Sequence, residues 1–252
     1  MYNDTYLLKK LPAILLPVVF SVFLFFCPTH LKSQSTLGVT GLLNSPSATM
    51  SEDGTVKIGG NFLNTNMTPD TWSYNTFNYF VNITFLPFFE VALTNTAFKL
   101  NGSDHFNNID RSVSVRMRVL KEHTFLPSVV VGSNDILTSN RENYFSPTKG
   151  NKYFGMHYVA ASKHLIFNEN KLGFHAAYNL LSSKKQKLDN PISGGITFTP
   201  SFARDLAVIA EYDTRDFNLG GSYLLFKTFY MQAFVQDFQY LSFGGYFVIS
   251  LL

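Results

Sequence analysis

The sequence predicts an all-β protein, an antiparallel transmembrane β-barrel of about 12 strands that follows a cleaved N-terminal export signal. Three observations predict it. Residues 54–252 read as short segments of roughly ten residues with apolar and small or polar side chains in alternation, the signature of a membrane-spanning barrel strand. Only 15% of the residues are charged and many of those fall in connections, too few to cover the outside of a soluble β-sandwich or lipocalin-like barrel. An apolar run, residues 11–27, follows the basic pair Lys9 and Lys10 and gives way to polar residues, as a secretory signal does.

The domain boundaries follow from these features. Residues 1–34 read as the signal peptide, because Pro12, Pro17 and the short apolar run argue against a permanent spanning helix, which needs about 20 residues. Residues 35–252 read as one barrel domain with a short lead-in, 35–53. Cys27 is the only cysteine and leaves with the signal, which excludes disulfides and thiol catalysis in the mature chain. The formal charge falls from +3 to +1 when Lys9, Lys10, Lys32 and Asp4 are removed, so there is no broad electrostatic footprint for nucleic acid. The lead-in 36–51, rich in Gly, Ser and Pro, reads either as an entry segment or as a plug in the barrel mouth.

The strands are expected at 54–63, 76–86, 88–99, 110–120, 125–134, 153–163, 172–180, 191–199, 204–213, 216–226, 228–236 and 240–251. The even number suits a closed bacterial barrel with both ends on one side. Tight joints at Pro87, 121–124 and 226–227 alternate with long ones at 64–75, 100–109, 136–152 and 181–190, as short periplasmic turns and long outer loops do. Alternation is cleanest in the fourth strand, where Val113, Val115, Met117 and Val119 interleave with Ser112, Ser114, Arg116 and Arg118. The second strand repeats it with Phe77, Tyr79, Val81, Ile83 and Phe85. The last strand carries Leu241, Phe243, Phe247, Ile249 and Leu251 on one face, which suits recognition by the barrel-assembly machinery although Leu252 stands where a terminal Phe is commoner. The recurring phrases Thr84-Phe85-Leu86-Pro87, Thr124-Phe125-Leu126-Pro127 and Thr197-Phe198-Thr199-Pro200 fall at turns and read as architectural.

No enzyme signature is evident, and no catalytic residue is expected. The six histidines show no His-x-Ser, and Asp104-His105 has no partner dyad. Nor is there metal-ligand spacing or a phosphate loop, so neither metal nor cofactor is expected. The informative residues are polar groups at lumen-facing positions: Glu90, Arg116, Arg118, Asp135 and Glu211, with Tyr158, Tyr230 and Tyr246. Facing lipid, such charges would cost up to several kcal/mol, so they point inward or lie near an interface. They suit a conduit or binding surface for a hydrophilic substrate, anionic ones included, and equally suit ion pairs that fill a narrow lumen.

Several strings together resemble one family. Gly41-Leu42-Leu43-Asn44-Ser45-Pro46-Ser47-Ala48, then Met50 and Asp53-Gly54-Thr55, is similar to the opening motif of the YjbH-type exopolysaccharide outer-membrane proteins. The likeness continues through Asp110-Arg111-Ser112, Arg116, Arg118 to Glu122, Leu126 to Gly132 and Asp135, then Tyr153-Phe154, Tyr158 to Lys163, and 206–212. The resemblance implies a cell outer membrane barrel that assists export or surface assembly of an exopolysaccharide or capsule. Its partners would be outer-membrane lipid, the barrel-assembly machinery, the polysaccharide and other export proteins, and it brings no catalytic residues. Long members of the family look like two barrel-sized halves, whereas this chain has length for one. Arg116 and Arg118 would then donate to a passing glycan, with Glu90 and Glu211 balancing the lumen. A general small-solute porin, with an open lumen, and a non-transport barrel that displays its loops, with a closed one, are the alternatives.

Overall fold

A computed structural model describes residues 33–100, 103–138, 151–181 and 188–252. Apart from Ser33 and Gln34, the expected signal lies outside the described residues, as do most of the loop at 136–152 and part of that at 181–190.

Twelve antiparallel strands close into one barrel in which each pairs with its sequence neighbours. They are β1 (Thr55–Leu63), β2 (Thr76–Phe85), β3 (Phe89–Phe98), β4 (Asn108–Leu120), β5 (Ser128–Thr138), β6 (Met156–Phe167), β7 (Asn170–Leu181), β8 (Ile192–Thr199), β9 (Leu206–Tyr212), β10 (Phe217–Leu225), β11 (Phe229–Gln236) and β12 (Tyr240–Ser250). The seam is β1 against β12, in register from Thr55 opposite Ser250 to Phe62 opposite Phe243. Closure leaves no unpaired edge, the condition for a sheet to stand in hydrocarbon.

Each expected strand is present, and the bounds shift at two places for identifiable reasons. The fifth strand starts later, at Ser128, because 121–127 with Pro127 form the connection, and it runs on to Thr138 through a register shift where Asp135 takes a positive φ of 50°. The joint between the sixth and seventh strands is shorter than the turn of 164–171 that the strand limits expected from the sequence leave between them. The strands run on to Phe167 and resume at Asn170, and Asn168 and Glu169 turn the chain with φ of 44° and 64°. Two consecutive positive φ values match the twist of a tight hairpin.

The barrel is inside-out relative to a soluble one. Ile83, Leu93, Val159, Ile196, Val208 and Phe247 are each at least 40% exposed on the outer wall. Lys57, Asn82, Glu90, Arg116, Asn179 and Glu211 are buried on the inner wall. Strand parity produces this directly, since residues two apart share a face. The contrast rules out the soluble sandwich and the lipocalin-like barrel, whose apolar faces point inward. No helix among the described residues is long and apolar enough to cross a membrane, which leaves strand crossing untouched.

Candidate functional site

The lumen is filled by the chain's own lead-in. Of the two readings of this segment, the structure adopts the plug. Residues 33–53 fold into two small loops, closed by bridges between Gln34 and Thr40 and between Gly41 and Pro46. Gly38 makes the first turn possible: its φ is 77°, and a Cβ there would lie 2.6 Å from the Phe80 side chain of the wall.

Loops this tight cannot pair all their backbone groups with one another, and the wall supplies the missing partners. At the second loop the N–H groups of Leu43, Asn44 and Ser45 converge on the Glu211 carboxylate at 3.1, 2.7 and 3.1 Å, a concave nest of donors around an anion. Asn218 adds a fourth donor at 2.8 Å. At the first loop Glu90 Oε1 accepts from Thr40 N–H at 2.7 Å and from Asn82 at 2.8 Å. Lys57 Nζ donates to Gln34 Oε1 at 2.7 Å and Thr40 Oγ1 at 2.9 Å.

The returning segment of the plug is held by Arg116, whose Nη2 donates to the carbonyls of Ser47 and Thr49 at 2.7 and 2.6 Å. Ser162 Oγ accepts from Ala48 N–H at 2.7 Å, and Ser128 Oγ donates to the Ala48 carbonyl at 3.0 Å. Amides of Asn61 and Asn78 both donate to Thr36 O. Glu90 on β3 stands directly across from Arg116 on β4, so the opposite charges sit side by side on the inner wall. Apolar contacts complete the fit: Leu42 and Leu43 pack with Leu63, Met67, Ile209 and Phe234, and Ala48 and Met50 with Val130, Tyr158 and Ala160.

The sequence-derived residues divide accordingly. Glu90, Arg116 and Glu211 lie on the inner wall, and all three grip the plug. Tyr230 and Tyr246 stack inside at 4.9 Å between ring centroids, beneath Lys57, whose Nζ is 5.8 Å from the Tyr246 ring. Tyr158 is buried in the plug contact, within electrostatic reach of Arg116 and Glu90. Asp135 is buried and accepts from Phe154 N–H at 3.2 Å. Arg118 does not join Arg116 as a second donor toward the lumen centre. Two residues nearer the strand end, it reaches the carbonyl of Pro87 in the β2–β3 turn.

Sequence reasoning missed Lys57 and the pair of Ser162 and His175, whose Oγ and Nδ1 are 2.8 Å apart. Lys57 had a signal, an isolated charge between Val56 and Ile58 in an alternating strand. The Ser162 and His175 pair had none, since it joins two strands across a hairpin.

The plug leaves a recess at each end. The outer one, with about 720 Å³ of open space, is lined by Asn44, Ser45, Asp213, Arg215 and Gln236 among others. Trp72 stacks on Phe98 at 5.5 Å and packs with Phe154, which lines this recess. The inner one, with about 390 Å³, lies among His164, Lys171, His175, Thr197 and Thr199 at the turn side. No group of His, Cys, Asp and Glu among the described residues could hold a metal ion.

Comparison with known proteins adds three findings. A family model described as "Exopolysaccharide biosynthesis protein YbjH" matches residues 33–220, from the first residue of the plug to the middle of β10. No curated protein sequence matches. Among solved structures, a KdgM porin is similar in outline, with a TM-score of 0.44 and 10% identity over 79% of this chain and 99% of that one.

Proposed function

Because the chain belongs to the YjbH family of exopolysaccharide biosynthesis proteins, we propose that it is an outer-membrane barrel that assists export or surface assembly of an exopolysaccharide, and that it stands closed at rest behind its own N-terminal plug. The observation that carries the reading is the pairing of an apolar outer wall with a lumen in which the charged side chains Lys57, Glu90, Arg116 and Glu211 all hold one segment of the same chain. Outside, such a wall is matched to lipid. Inside, charges gathered around backbone groups of a short segment form a latch, since a released plug would leave them exchanging these partners for water.

The role is non-catalytic. Ser162 is buried and its oxygen accepts the Ala48 N–H, which commits it to the plug rather than to a substrate carbonyl. The partners are outer-membrane lipid, the barrel-assembly machinery acting on the apolar last strand, and the polysaccharide with its other export proteins. The closed lumen also favours a second reading, a barrel that displays its outer loops without transport.

Surface polysaccharide in a strain lacking this gene, compared with the parent and the complemented strain, tests the role. Loss in the deletion and recovery on complementation are expected, and unchanged polysaccharide would contradict it. Complementation by a variant whose plug is tied to the wall by cysteines at Ala48 and Ser162 then separates the readings, because transport needs the plug to move and display does not.

A further inference from the structure

The inner recess is one of the two parts of the lumen that the plug leaves open, and its lining includes Lys171 and two histidines but no carboxylate. Lys171 and His175 project from the inner face of β7, His164 from β6, and Thr197 and Thr199 from β8, with Ser33 and Thr49 of the plug opposite. Glu122, the carboxylate whose charge acts on Lys171, is already engaged: it contacts His164 Nδ1 at 2.7 Å and lies 3.5 Å from Lys163. Lys171 is half-buried, and among the described residues its ammonium makes neither an ion pair nor a hydrogen bond.

The floor of the recess is built rather than incidental. His175 is fixed at both ring nitrogens, by Ser162 at 2.8 Å and by Thr197 Oγ1 at 3.1 Å. Gly173 lies between them, and a Cβ there would come within 2.4 Å of Thr197 Oγ1 and 2.7 Å of His175 Nε2. Glycine at this position keeps the floor open. The result is a small recess, open to the end of the barrel, with the Lys171 ammonium, two imidazoles and the Thr197 and Thr199 hydroxyl groups on its walls.

We propose that this recess binds an anionic sugar residue, one carrying a carboxylate, that enters from the inner end of the barrel, with Lys171 as its charge partner and Thr197 and Thr199 as partners for its hydroxyl groups. A half-buried ammonium with no carboxylate within ion-pair distance favours an anion, and hydroxyl-bearing walls favour a polyhydroxylated one over a small inorganic ion. The inference rests on the exopolysaccharide reading and narrows it to acidic glycans. A bound sugar would touch Thr49 of the plug, so it would meet the closed state first.

The test is calorimetric titration of the purified full barrel in detergent with a glucuronate-containing tetrasaccharide, its carboxyl-reduced counterpart, acetate and inorganic phosphate. Binding of the acidic tetrasaccharide alone is expected, weakened about tenfold or more by Lys171→Gln, less by Thr199→Val, and largely kept by Lys171→Arg. Heat-modifiable gel mobility confirms that each variant is a closed barrel. Absence of binding, equal binding of the carboxyl-reduced sugar, or an unchanged affinity in both Lys171→Gln and Thr199→Val would overturn the proposal. Equal binding of phosphate or acetate would make this a general anion site and overturn the sugar assignment. The outcome is independent of the deletion phenotype: a strain that loses its polysaccharide while the purified barrel ignores the acidic sugar would sink this inference and leave the export reading standing.

Discussion

Glu211 carries the densest set of plug contacts, three backbone N–H groups and the Asn218 amide on one carboxylate. Glu211→Ala would leave the three plug donors unsatisfied and cost at least about 3 kcal/mol of plug attachment, since each such bond to a charge is worth about 1.5–3 kcal/mol. Proteolysis within 33–53 of the folded barrel reads this, and the variant is expected to be cut where the wild type resists. Two carboxylates outside the strands give opposite pH dependences. Burial alone would raise Glu122, but its hydrogen bonds with His164 and the charges of His164 and Lys163 outweigh that and hold it below the usual range. Its stabilising share is therefore present above the carboxylate range and lost as the pH falls through its folded pKa. Asp216, in the joint between β9 and β10, is raised by burial and by Asp213, so its share is present at low pH and lost as the pH rises through its folded pKa. Melting curves between pH 3 and 6, in steps of about one unit on the carboxylate scale, should lose their acid-side decline in Glu122→Gln. They should lose the opposite trend in Asp216→Asn.

At the scale of the element, the strands were the most legible part of the chain because a period of two is written in every strand that faces two different environments. The fourth strand shows why: Ser112, Ser114 and Arg116 are buried, while Met117 and Val119 face out. The hairpin of β6 and β7 was not legible, because His164, Lys171 and Asn170 read as loop polarity, whereas two of them are lumen-facing strand residues at a recess. The plug was legible only as composition. Its place depends on partners far along the chain, such as Glu211 for Asn44, which no local pattern announces. The seam is where an element is most constrained. A Cβ on Gly59 would fall 2.3 Å from the Gly245 carbonyl oxygen of β12. Gly59→Ala is expected to cost about 1–3 kcal/mol through overpacking, and Gly59→Val to prevent closure, read as loss of heat-modifiable mobility on gels.

The whole molecule combines two solvents' worth of design in one sheet. Its outer wall presents side chains such as Ile196 and Val208, and its inner wall presents charged side chains of both signs, Lys57, Arg116, Glu90 and Glu211 among them. If the outer wall meets lipid, Ile196→Arg near the middle of β8 should lower folding stability in phospholipid vesicles by about 2–4 kcal/mol. The same change on a water-facing wall would cost little. The central claim is that the barrel is closed at rest by its own lead-in, and conductance across a planar bilayer tests it most directly. The account predicts that the wild-type barrel stays silent while a variant lacking 36–51 passes steady current. A wild-type barrel that conducts steadily, at the level of the plugless variant, would contradict it.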